Sequence, residues 1–117
     1  MAVVLYVEDH PPAQLLMQAI VGEMTAHQLT VAGTGEEART LALSLTPDLY
    51  IVDLDLPDTD GITLAGTLTT IHTAPVLLVS AYAESVKEPA IKSPVYAYLA
   101  KPLDPTDVAR TIERALA

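Results

Sequence analysis

Five short apolar runs alternate with helical patterns along this chain, and four of them drive into a polar side chain. Residues 3–7 run into Glu8-Asp9, and residues 29–32 form a second run. Tyr50-Ile51-Val52 leads into Asp53, after which Pro57 and Gly61 break the chain. Residues 75–80 close on Ser80, and residues 95–99 lead to Lys101-Pro102. A short apolar segment without alternation is buried on both faces, as a parallel strand is. Strands alternating with helices specify βαβ units and a parallel sheet. All strand ends of one sense then lie on one edge, and open α/β sheets bind ligands there.

The intervening segments carry helix signals. Pro11 and Pro12 suit a first turn, where no amide hydrogen is missed. Beyond them Leu16, Ile20 and Met24 recur at helical spacing, flanked by Ala13, Met17 and Val21. Thr34 and Gly35 open a second helix with Glu36 and Glu37 in its first turn, where the dipole favours acids. Its buried stripe is Ala38, Leu41 and Leu45. Gly61 starts a third helix, with Leu64, Leu68 and Ile71 on one face. Residues 82–93 are expected to be short or irregular, because Pro89 breaks a long helix. Asp104 caps the last helix, Pro105 takes its first position, and Val108, Ile112 and Ala115 face inward.

With 117 residues the sequence reads as one domain, 1–117, with no output domain in it. No apolar run approaches the roughly 20 residues of a membrane span. The basic flank and cleavage site of a signal peptide are missing from residues 1–5. The absence of Cys excludes disulfides and thiolate metal sites, which fits a cytoplasmic protein. A formal charge of -9, with six scattered basic residues, argues against direct nucleic-acid binding. Metal ions and basic partners suit it better.

The strand ends gather Glu8, Asp9 and Asp53 with the Ser80 hydroxyl and the Lys101 ammonium. Three carboxylates in one pocket raise one another's pKa unless a cation neutralises them. Oxygen ligands without His or Cys suit a hard ion such as Mg2+. Lys101 can then neutralise a phosphoryl oxygen, and Ser80 can donate to another. This equips the edge for phosphoryl transfer to a carboxylate, where positioning and charge supply most of the rate.

On these residues the chain resembles, from end to end, a response-regulator receiver domain of two-component signalling. The resemblance rests on Glu8-Asp9, on residues 53–61 (Asp-Leu-Asp-Leu-Pro-Asp-Thr-Asp-Gly), on Ser80-Ala81, and on Tyr98-Leu99-Ala100-Lys101-Pro102. It implies a flavodoxin-like, doubly wound five-stranded parallel sheet of order 2-1-3-4-5, with helices on both faces. By that similarity Asp53 accepts phosphate from a histidine kinase or phosphotransfer protein. Asp9 and Asp53 bind Mg2+ directly, Glu8 acts through water, and Asp55 offers its backbone carbonyl. Ser80 and Lys101 bind the phosphoryl group. Tyr98 is the switch aromatic, expected to rotate from solvent into space that Ser80 vacates. The Lys101-Pro102 bond is expected to be cis. The implied targets are a downstream protein or output domain, and the face of the fourth and fifth strands suits a homodimer. Such a protein catalyses only its own phosphorylation and dephosphorylation.

The sequence departs from the family pattern in three places. Ser stands at 80 where Thr is commoner, Asp55 adds a carboxylate, and Pro89 and Pro94 mark an unusual region. Two other readings remain open on sequence. Asp53-Leu54-Asp55 also matches the nucleophile motif of haloacid-dehalogenase-type phosphatases, although that motif follows the first strand there. A pseudo-receiver would bind partners without being phosphorylated.

Overall fold

A computed structural model describes residues 1–81 and 95–117. The elements run β1 (Val3–Val7), α1 (Pro11–Met24), β2 (Gln28–Ala32), α2 (Gly35–Leu45), β3 (Leu49–Asp53), α3 (Gly61–Ile71), β4 (Val76–Ser80), β5 (Val95–Ala100) and α4 (Pro105–Leu116). The expected helix within 82–93, with Pro89 and Pro94, lies outside the described residues.

The strands form one sheet in the order β2-β1-β3-β4-β5, every pair parallel. This is the doubly wound, flavodoxin-like architecture expected. Successive side chains point to opposite faces, so each central strand feeds two cores. Val4, Tyr6, Leu49, Ile51, Leu77 and Val79 pack under α1 and α4. Leu5, Val7, Tyr50, Val52, Val76 and Leu78 pack under α2 and α3. All five residues of β3 and of β4 are buried, which explains their unbroken apolar sequences.

Helix starts follow local chemistry. Thr34 accepts from the Glu37 amide at 3.0 Å, and Asp60 accepts from the Thr63 amide at 2.8 Å. As expected, Asp104 caps α4, accepting from the Thr106 amide at 3.0 Å, and Pro105 begins the helix. Each such bond satisfies a donor that the first turn leaves unpaired.

The face of α1 differs from the Leu16–Ile20–Met24 stripe. Met17, Ile20 and Val21 are buried, whereas Leu16 and Met24 are 39% and 45% exposed. This helix is apolar nearly all round, so its periodicity does not single out one face. The sheet takes the side on which Met17, Ile20 and Val21 lie three and four residues apart, within one turn. On α2, Ala42 joins Ala38 in the core, and Leu41 and Leu45 are only partly buried.

Candidate functional site

The register brings the polar strand ends to one edge. Val7, the last residue of β1, pairs with Val52, so Glu8 and Asp53 follow side by side. Asp53 pairs with Val79, which places Ser80 one residue further along the neighbouring strand. Ser80 pairs with Ala100, and the Lys101 amide donates to the Ser80 carbonyl at 2.9 Å. The Lys101-Pro102 bond is cis, as expected.

Glu8, Asp53 and Ser80 are the buried polar residues among those described, at 1%, 3% and 4% exposure. Lys101 reaches both acids, donating from Nζ to Asp53 Oδ2 at 2.9 Å and to Glu8 Oε1 at 3.1 Å. Glu8, Asp9 and Asp53 each offer a carboxylate oxygen within 4.8 Å of the others, with Asp9 exposed to solvent. The carboxylates of Glu8 and Asp53 therefore share one ammonium, and a third acid stands beside them.

The electrostatics show the conflict. Burial pushes the Glu8 carboxyl above its usual range, and the neighbouring Asp53 carboxyl adds to the shift, against the opposing bond from Lys101. For Lys101, burial pulls the ammonium down, but bonds to Asp53 and Glu8 outweigh it and raise the group overall. An all-oxygen set with surplus negative charge fits a hard divalent cation, so the residues present suit Mg2+.

Tyr6 was not anticipated from sequence. Its hydroxyl donates to Glu8 Oε1 at 3.2 Å, and burial followed by the Glu8 charge raises its pKa. The signal was available, because Glu8 directly follows β1 and stands two residues beyond Tyr6, on the same side of an extended chain. The His10 amide donates to Glu8 Oε2 at 3.1 Å, so both Glu8 oxygens are engaged. Asp55 is exposed, and its amide donates to Asp53 Oδ1 at 3.0 Å.

Tyr98 lies on β5 opposite Leu78, where a register shift between Val76 and Leu77 resets the strand's phase. Its ring packs against the core beneath α2 and α3, and its hydroxyl is buried. The ring expected in solvent is thus half-buried, because the shift turns it onto the face shared with Leu78.

Comparison with known proteins gives a consistent result. The family model described as "Response regulator receiver domain" matches residues 4–113. The positive alginate biosynthesis regulatory protein of Pseudomonas aeruginosa is 33% identical over 115 residues, covering 96% of this chain and 46% of that protein. The transcriptional regulatory protein PdtaR of Mycobacterium tuberculosis is 32% identical, covering 97% of this chain and 56% of that protein. The chain thus spans about half the length of these two relatives. Among solved structures, a CheY-like receiver domain from Methylobacillus flagellatus superposes with a TM-score of 0.88 at 23% identity, covering 98% of each chain. The receiver domain of a sensor histidine kinase from Pseudomonas aeruginosa PAO1, solved with magnesium coordinated in its active site cleft, gives 0.86 at 23% identity, covering 98% of this chain and 97% of that one.

Proposed function

The chain belongs to the response-regulator receiver family, and from that premise we propose that Asp53 is its phosphoacceptor. The observation that carries this reading is the Lys101 ammonium held between buried Asp53 and Glu8 at the carboxyl end of β3. The donor is a histidine kinase or a phosphotransfer protein. An Asp53 carboxylate oxygen attacks phosphorus, and the bond from phosphorus to the donor imidazole nitrogen breaks. Its electron pair stays on that nitrogen, and the product is an acyl phosphate on Asp53.

The surrounding side chains position and neutralise. Lys101 balances the charge of the phosphoryl oxygens, and the Ser80 hydroxyl donates to one of them. Asp9 and Asp53 would hold Mg2+ directly, Glu8 through water and Asp55 through its backbone carbonyl. Glu8 already accepts from Tyr6, His10 and Lys101, which supports its indirect role, while Asp9 is open to solvent. Bound Mg2+ would offset the negative charge of the carboxylates and the incoming phosphoryl group.

Family membership displaces the phosphatase alternative. A receiver takes one phosphoryl group and promotes only its own phosphorylation and dephosphorylation. Ser80 follows the phosphoryl group, and Tyr98, on the same face of the sheet, becomes fixed in its inward orientation. The surface of β4 and β5 then differs for a downstream protein, an output domain or a second copy. No helix among the described residues is long and apolar enough to cross a membrane, and the proposed location is the cytoplasm.

Acetyl phosphate with Mg2+ should add one phosphoryl group, read by intact mass, and Asp53→Asn should take none. Label persisting in Asp53→Asn would place the nucleophile elsewhere. A wild-type protein that takes no label would favour the pseudo-receiver reading.

A further inference from the structure

The loop between β3 and α3 carries one carboxylate that is committed to another element. Asp58 Oδ1 accepts from the Gly35 amide at 2.9 Å, and its Oδ2 accepts from the Glu36 amide at 3.1 Å. These are the first amides of α2, donors that a helix leaves without internal partners and where its dipole favours an anion. Thr34 serves the next amide, Glu37, so the first turn is shared between a local cap and one delivered by a separate loop. The approach is close: a Cβ at Gly35 would lie 2.6 Å from Thr59 Cγ2 and 3.3 Å from Asp58 Oδ1. Glycine is what lets the loop tip reach the helix.

The same loop is closed at its base. The Leu54 amide donates to the Val79 carbonyl at 2.9 Å, and the Gly61 amide donates to the Leu54 carbonyl at 3.0 Å. Asp55 and Asp60 form an antiparallel bridge. From this base the Asp55 amide donates to Asp53 Oδ1 at 3.0 Å and so sets the orientation of that carboxylate. Asp60 ties the far end to α3 by accepting from the Thr63 amide and hydroxyl. Between the base and α3, the tip has Asp58 as its tether to α2.

We propose that Asp58 is a positioning residue for Asp53. By clamping the loop tip to the amino end of α2, it fixes the base that orients the Asp53 carboxylate and the Asp55 backbone. The consequence for phosphoryl transfer rests on the reading of Asp53 as acceptor, whereas the clamp itself does not. An ordinary helix cap would stabilise α2 and leave the Asp53 end of the loop unchanged.

Asp58→Ala removes both bonds, and Asp58→Asn keeps one acceptor oxygen. Gly35→Ala perturbs the same contact from the helix side. In Asp58→Ala the amides of Asp55 and Gly61 should exchange hydrogen faster, Mg2+ affinity should fall about tenfold, and acetyl phosphate labelling should slow while still reaching one group per chain. Asp58→Asn should recover part of each loss, and Gly35→Ala should reproduce the faster exchange at Asp55. Faster exchange confined to Glu36 and Glu37, with Asp55, Gly61 and Mg2+ affinity unchanged, would reduce Asp58 to a helix cap and overturn the proposal. If wild-type protein takes no label while Asp58→Ala still loosens Asp55, the acceptor reading falls and the clamp stands. If wild type and Asp58→Ala label at equal rates with equal exchange at Asp55, the clamp falls and the acceptor reading stands.

Discussion

Lys101 Nζ donates to Asp53 Oδ2 at 2.9 Å, joining the carboxyl ends of β5 and β3 across 48 residues of sequence. Removing this cation leaves two buried carboxylates facing each other. Lys101→Met should therefore cost the metal-free protein about 2 kcal/mol at neutral pH, the scale of a lost charged hydrogen bond. Urea unfolding with and without Mg2+ measures it, and Mg2+ should restore part of the loss. Equal stability of the variant and wild type without Mg2+ would contradict this account.

Stability should also depend on pH through Glu8. Burial, then Asp53, raises its pKa above the ordinary 4.5, so the folded state binds this proton more tightly than the unfolded chain does. Its contribution is complete below that ordinary value and is lost as pH rises through the folded pKa. Lys101, whose pKa is raised above 10.5, contributes in full across this range and loses its part only at high pH. The metal-free protein should thus lose the Glu8 contribution as pH rises above the ordinary value and through the folded one, and Glu8→Gln should flatten that slope. Mg2+ held as proposed should oppose the loss, because it needs the ionised carboxylates. Its gain, about 2.7 kcal/mol at a hundredfold excess over Kd, should be larger near neutrality than near pH 5, as thermal melts would show.

Gly61 admits no side chain. A Cβ there would lie 2.5 Å from the Asp53 carbonyl oxygen and 2.7 Å from Leu54 Cα, both backbone atoms that cannot swing aside. Gly61→Ala should destabilise the fold by about 3 kcal/mol and weaken Mg2+ binding, because the displaced backbone is that of Asp53 and Leu54. Chemical denaturation and a Mg2+ titration check the two effects.

Ser80→Ala should slow phosphorylation of Asp53 on the order of 100-fold, the cost of removing one donor from a developing charge. Stability should fall by about 1 kcal/mol, the scale of one buried side-chain hydrogen bond. Labelling time courses beside thermal melts separate the two.

Tyr98→Ala should leave labelling of Asp53 nearly intact while weakening binding of the downstream partner. With beryllofluoride as the phosphate mimic, the Tyr98 ring resonances should change. Those of Tyr50 should not, because its hydroxyl is tied to the Leu68 and His72 carbonyls at 3.1 and 2.7 Å. Unchanged Tyr98 resonances would remove the proposed switch.

The strands, their parallel pairing and the alignment of Glu8, Asp53, Ser80 and Lys101 on one edge were legible in the sequence. Apolar runs of about five residues, proline and glycine breaks and capping residues such as Thr34 and Asp104 are local signals, read within a few positions. The order of β2-β1-β3-β4-β5 followed from family resemblance, since no local signal ranks parallel strands.

Tertiary structure decided the rest, wherever the determining contact joins distant segments. The apolar circumference of α1 left several faces equivalent, and the fit against the sheet chose Met17, Ile20 and Val21 over Leu16 and Met24. A register shift opposite β4 put Tyr98 on the inner face. Lys101 met Glu8 across 93 residues, and Asp58 met Gly35 across 23. In each case the sequence supplied the side chain, and its partner was set by how closely packed elements come together, a distance that no local pattern encodes.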